Sequence, residues 1–174
     1  MPRKTDYGFT LIELLIVVAI ISIIAAIAVP GLLRARMTAN ETSALTALKV
    51  TTASQVGYSA SCGNGAYAAT YLVLGTAPAG STDGFISADL GSSATPQKSG
   101  YTYALGPGAG STAGPNDCNG TATITAYYAT GVPLTFGTSG TRSFAVNQGN
   151  VVWQIGAATP PTEPFGPPAV PAGQ

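Results

Sequence analysis

The chain contains no histidine. That removes the side chain most often used as a general base near neutral pH and the commonest metal ligand. Charge is also scarce: 8 % of 174 residues are charged, and the seven basic and seven acidic side chains cancel. No basic face is present to recognise nucleic acid. The carboxylates of the polar part (Glu41, Asp83, Asp89, Asp117 and Glu163) are scattered, with neither the spacing of an acid–base pair nor that of a calcium loop. Asp83 and Asp89 stand six apart among Gly and Ser and read as turn residues. No catalytic residue, metal or cofactor is implied. With two cysteines the chain is no cysteine-rich scaffold. Its length suits one anchor plus one domain of about 110 residues, not two full cores.

What the chain does have is a long apolar run. Phe9 to Val29 is 21 residues, about 31 Å as a helix, which just spans a hydrocarbon core. One charge interrupts it, Glu13, and the next cation downstream is Arg34. A carboxylate at bilayer depth costs about 2.5–3.5 kcal/mol on the mildest scales, and those that persist usually have a partner and a role. Cleavage after Gly8 would give Phe9 a positively charged amine one helical turn from Glu13. Carboxylate and amine would then pair within one molecule or between neighbours, an assembly device rather than a plain anchor. The alternative is a secretory signal peptide: Arg3 and Lys4 as the basic start, Leu14 to Ile24 as the apolar core, Ala26-Ile27-Ala28 as the cleavage site. Such a signal has no use for Glu13, nor for a helical pattern continuing beyond Pro30.

Gly8-Phe9-Thr10-Leu11-Ile12-Glu13, then Leu14 to Val29, then Pro30, resembles a type IV prepilin, the class that includes the pseudopilins of type II secretion. The resemblance covers about the first 50 residues. It implies a leader (1–8) cut after Gly8 by a prepilin peptidase, N-methylation of Phe9 by the same enzyme, and a homopolymer built through the exposed helix. It assigns Glu13 to neutralising the terminal amine of an adjacent subunit, and Pro30 to a helix kink. It also implies assembly machinery in the inner membrane, with the head outside the cytoplasm before the subunit joins an extracellular filament. Ser22 departs from the pattern, because many members carry glycine there. Losing Arg3, Lys4 and Asp6 leaves five basic and six acidic side chains, still close to neutral.

The fold implied is α+β and pilin-like: a long helix (9–57) with a membrane-spanning or filament-core segment (9–29), packed on a four-stranded antiparallel sheet (99–156). Leu33, Met37, Ala44, Leu48 and Val56 recur at helical steps and predict an apolar face on the rear half. Arg34, Arg36 and Glu41 read as a solvated helical face. Residues 58–98 read as a loop pinned by Tyr67, Tyr71, Leu72 and Phe85. Strand alternation places Tyr101, Tyr103 and Leu105 on one face, and Ala122, Ile124, Ala126 and Tyr128 on another run. Phe144 and Val146 are expected to face Val151, Trp153 and Ile155 across the loop Asn147-Gln148-Gly149-Asn150. One sheet face would cover the helix, and the other would face solvent or the next subunit. The tail (157–174) has six prolines from Thr159 onward and is expected to be extended or disordered.

Cys62 and Cys118 are an even pair in a chain that looks exported, which favours one disulfide, worth about 4 kcal/mol on the chain-entropy estimate. Two free thiols are the other reading. For function, the leading expectation is a structural subunit of a type IV pilus-like filament. A type II secretion pseudopilin, a membrane-tethered minor pilin acting as a binding module, and a stalked hydrolase are the competitors. The last is poorly served by absent histidine and scattered acids.

Overall fold

A computed structural model describes residues 8–173. Residues 1–7 of the expected leader, with Arg3 and Lys4, lie outside them. The chain divides between Arg36 and Met37 into two units.

The first unit is the front of helix α1 (Leu11–Ser61). From Leu14 to Leu33 it is apolar all round apart from Ser22, and every residue from Gly8 to Arg36 is exposed. α1 is long and apolar enough to cross a membrane. Pro30 has no amide hydrogen to donate, yet α1 runs through it. Ser22 turns its hydroxyl back onto the Val18 carbonyl, 2.7 Å away, so this polar group in the middle of the span is satisfied within the helix.

The second unit begins at Met37 and contains the rear of α1. Its buried stripe is Glu41, Ala44, Leu48, Thr51, Gln55 and Tyr58, at steps of three and four. Val56, expected on this face, is 50 % exposed, and buried Gln55 takes its place. Gln55 lies opposite strand β1 (Tyr67–Ala68). Its amide donates to the Ala68 carbonyl and accepts from the Ala68 N–H, both at 2.9 Å, in the manner of an added strand residue. α1 ends at Ser61, four residues past the expected boundary. Gly63 follows because a Cβ there would sit 2.3 Å from the Ala66 carbonyl oxygen, so only glycine permits the turn.

The stretch expected to be a loop holds β1, two short helices α2 (Tyr71–Gly75) and α3 (Ala88–Gly91), and strand β2 (Gln97–Lys98). Thr70 caps α2 by accepting the Val73 N–H at 3.3 Å. These elements are too short to show periodicity. Tyr71 is buried as expected and Tyr67 and Phe85 are half-buried. Leu72 is exposed, and Leu74, Ile86 and Leu90 pin the segment instead.

The remaining strands are β3 (Tyr101–Pro107), β4 (Thr123–Ile124), β5 (Tyr127–Pro133), β6 (Ser143–Asn147), β7 (Trp153–Ile155) and β8 (Val170–Pro171). Among the described residues the main sheet has six strands, not four, in the antiparallel order β2-β3-β5-β6-β7-β8, and β1 pairs separately with β4. Tyr101, Tyr103 and Leu105 face the core as the alternation requires. The run 122–128 is broken: β4 joins β1, the chain bends at Thr125, and β5 restarts with Tyr127, Ala129 and Gly131 on the core side. Tyr128 therefore belongs to the other face. The closing hairpin is likewise offset, since Ala145 lies opposite Trp153 and Phe144 opposite Gln154. Cross-strand partners share a face, so Phe144 and Val146 go with Val152 in the core, and Trp153 and Ile155 do not.

The second face of the sheet is covered, and the proline-rich tail covers it. Ser143 Oγ donates to the Ala157 carbonyl at 2.6 Å, and the Tyr128 hydroxyl donates to the Pro161 carbonyl. The ring of Phe165 stacks on Trp153 with centroids 5.5 Å apart, and lies 6.2 Å from Tyr128. Glu163 accepts from Asn147 Nδ2 at 2.5 Å and from the Ala109 N–H at 2.6 Å. β8 then extends the sheet, with the Ala172 N–H on the Val152 carbonyl at 2.7 Å. The tail is extended, as proline dictates, but it is docked by its carbonyls and by side chains rather than free.

Candidate assembly site

The head of the apolar run is built by two side chains. Thr10 lies just before α1, and its Oγ1 accepts the Glu13 N–H at 3.3 Å. The Glu13 carboxylate reaches back to accept the Thr10 N–H at 2.9 Å and the Thr10 hydroxyl at 2.6 Å. This is a reciprocal capping box, which satisfies donors that the first turn of any helix leaves open. The pattern Thr-x-x-Glu was available in the sequence but is overshadowed there by the cost of the charge. Phe9 is 89 % exposed. A Cβ added at Gly8 would meet no atom within 4 Å, so nothing in the described chain itself demands glycine at that position. A requirement for glycine must come from whatever reads the segment.

Residues 3–29 match the prokaryotic N-terminal methylation motif. Over 35 residues the chain is 69 % identical to the type IV wide pilus major component PilA4 of Thermus thermophilus. The chain carries a prokaryotic N-terminal methylation motif, and its N-terminus is similar to that of a type IV pilus component. The matched part is 20 % of the chain, which spans 27 % of the length of that relative, and no solved structure matches. With the sheet behind the long helix, the architecture is α+β and pilin-like.

Of the other expected site residues, Cys62 and Cys118 are bonded, with Cα atoms 4.8 Å apart across a separation of 56 residues. The bridge fastens the end of α1 to the loop before β4, helped by the Cys118 N–H on the Cys62 carbonyl at 2.8 Å. Beside it, Asp117 accepts from the Tyr58 hydroxyl at 2.7 Å and from the N–H groups of Asn119 and Thr121 at 2.9 and 2.6 Å. Burial alone would raise the Asp117 carboxyl, but these donors outweigh it and hold the group below its ordinary value. Burial, with the neighbouring Asp117 charge, pushes the Tyr58 hydroxyl up.

Glu41 is not part of a solvated face. It is 5 % exposed and accepts four hydrogen bonds, from Thr141 N–H and Oγ1 and from Arg142 Nε and Nη2. Helical spacing placed it beside exposed Arg34 and Arg36, but its partner comes from about 100 residues away, where no local pattern reaches. Asp89 pairs with Lys98 and accepts from Ser87, and Asp83 accepts from Thr82 at 3.3 Å.

Proposed function

We propose that the chain is a structural subunit, not an enzyme: a prepilin cleaved after Gly8, N-methylated at Phe9 and polymerised through its front helix into a type IV pilus-like filament. The observation that carries this reading is an apolar helix, exposed along its whole front, that begins with a single carboxylate. Apolar surface on that scale needs lipid before assembly and neighbouring helices after it. Glu13 would meet the Phe9 amine of an adjacent subunit while Thr10 holds its carboxylate at the helix start. Partners are then prepilin peptidase, the assembly machinery and further copies of the same chain. The precursor sits in the inner membrane with its head outside the cytoplasm. A pilus is favoured over a secretion filament because the protein sharing this N-terminus is a pilus component. Intact-mass analysis of purified surface filaments tests the reading. The expected subunit begins at N-methyl-Phe9; a retained Met1, or a start near Val29, would overturn it.

A further inference from the structure

Charge is scarce in the second unit, and almost all of it is used internally. The cations there are Lys49, Lys98 and Arg142, and the last two are paired with Asp89 and Glu41. Asp117 accepts from Tyr58, Asn119 and Thr121, and Glu163 accepts from Asn147 and Ala109. Two groups of opposite sign stand apart. Lys49 is exposed on α1 and has no hydrogen-bond or ion-pair partner among the described residues. Asp83 is exposed, and its carboxylate accepts only from the Thr82 hydroxyl, at 3.3 Å.

Asp83 is the one charged residue lining a hollow of about 340 Å³, beside Gly75, Gly84, Phe85 and Ile86. The hollow is preformed by backbone contacts. The N–H groups of Phe85 and Ile86 both donate to the Leu74 carbonyl, at 2.8 and 3.2 Å. A Cβ on Gly84 would lie 2.3 Å from the Gly75 carbonyl oxygen, so the two segments touch through their main chains. A single carboxylate beside Phe85 and Ile86 suits an ammonium group carried on an aliphatic stem. Lys49 is such a group, and the exposed side of α1 around it carries Val50, Ala53 and Val56. The two features lie at different levels along α1. The Phe85 ring rests against Tyr58, with centroids 5.3 Å apart, and Tyr58 lies nine residues beyond Lys49, about 13 Å of helix.

We propose that Lys49 of one subunit enters the hollow beside Asp83 of another copy, forming a contact between heads. The contact rests on the reading that the chain polymerises through α1. A second copy is the occupant because the chain carries both halves of the pair, an unpartnered cation and a sparsely bonded anion, on separate patches. A contact between two different patches is heterologous, so each added subunit presents a fresh hollow and a fresh lysine. The offset of the patches along α1 displaces successive subunits along the helix direction, which suits an open filament rather than a closed ring. The pair would also fix register, because a slipped neighbour leaves each charge opposite an uncharged surface.

The test expresses full-length variants in place of the parent chain and counts surface filaments by electron microscopy. Lys49→Glu and Asp83→Lys should each lower filament number at least about fivefold, as expected when an exposed ion pair becomes a like-charge contact. The exchange of both, Lys49→Glu with Asp83→Lys, should restore it. In the filaments still formed by a chain carrying Lys49→Cys and Asp83→Cys, mild oxidation should link subunits into a ladder on a non-reducing gel. If the parent chain enters no filament, the polymer reading and the contact fall together. Parent filaments, with both single variants assembling normally, overturn the contact and leave the polymer reading intact. Defects that the exchange does not repair overturn it too, since Lys49 or Asp83 then meets another protein. So does a link formed within one chain rather than between chains.

Discussion

Arg142 Nε and Nη2 both donate to one oxygen of Glu41, at 2.8 and 2.6 Å, while Thr141 fills the other oxygen through its N–H and hydroxyl at 2.7 and 2.8 Å. The remaining arm of Arg142 donates to Gln154 on β7 at 2.9 Å. One carboxylate on α1 thereby ties the helix to the start of β6, and through Arg142 to β7. Arg142 is 42 % exposed, so solvent screens the ion pair, and the stronger effect is the satisfaction of buried Glu41. Glu41→Ala should cost about 1–3 kcal/mol in urea unfolding of the head, because the Thr141 N–H loses its acceptor. An unchanged midpoint would show that the contact contributes nothing.

The same contact sets a pH dependence. Burial acts to raise the Glu41 carboxyl, but the donors from Thr141 and Arg142 and the Arg142 charge outweigh it and hold the group below its ordinary 4.5. A folded-state value below the unfolded one means stability that is present above about pH 4.5 and lost as pH falls through the folded value. Asp117 is shifted in the same direction. The Glu41→Gln head should therefore lose less stability on acidification below pH 4.5 than the parent, with Asp117 and the Lys98-paired Asp89 among the groups that supply the remainder. Parallel curves for the two proteins would refute the assignment.

Thr10 and Glu13 separate cap from charge. Glu13→Gln keeps an oxygen that can accept the Thr10 N–H but loses the charge; Thr10→Ala keeps the charge and removes a cap typically worth about 1 kcal/mol. If the charge drives assembly, Glu13→Gln should abolish surface filaments while Thr10→Ala assembles them, as counted by electron microscopy. The opposite ranking would mean that Glu13 acts mainly as a helix cap.

Removing the Cys62–Cys118 bridge, by Cys62→Ser with Cys118→Ser, should cost the head about 4 kcal/mol on the loop-entropy estimate. Thermal unfolding with and without reductant gives the comparison. A parent head that takes up alkylating reagent before reduction would show that the bridge is not formed in the protein as made.

Deleting residues from 159 onward should uncover Tyr128, Thr130, Ala145 and Trp153 on the second sheet face. The expected signs are a red shift of Trp153 emission and binding of a hydrophobic dye. Phe165→Ala should produce part of the same shift by removing the stacked ring. If Trp153 emission is unmoved in both, the tail is not what shields that face.

The parts legible in the sequence are those that repeat or that carry an expensive group. The apolar span, Glu13 and the alternation of Tyr101, Tyr103 and Leu105 all fall in this class. The errors share a cause. Gln55 is buried where an apolar residue was expected because it bonds a strand that comes later in the chain, and Glu41 is buried because Arg142 reaches it across the sheet. Alternation gave the wrong face for Tyr128 and Trp153, since one bend or one residue of offset inverts every side chain after it. Proline content correctly excludes helix from the tail, yet it cannot show that a chain with few free N–H groups can still dock through its carbonyls and the Phe165 ring.

The docking of β8 has a consequence for timing. Residues 170 and 171 lie at the edge of the main sheet, whereas the disulfide joins residues 62 and 118. For a chain crossing a membrane with its anchor leading, both cysteines emerge some fifty residues before the last strand does. Pulse-labelled chains should then become oxidised before they become protease-resistant. On that order the β7–β8 edge of the sheet would close last, after the disulfide has already joined residues 62 and 118.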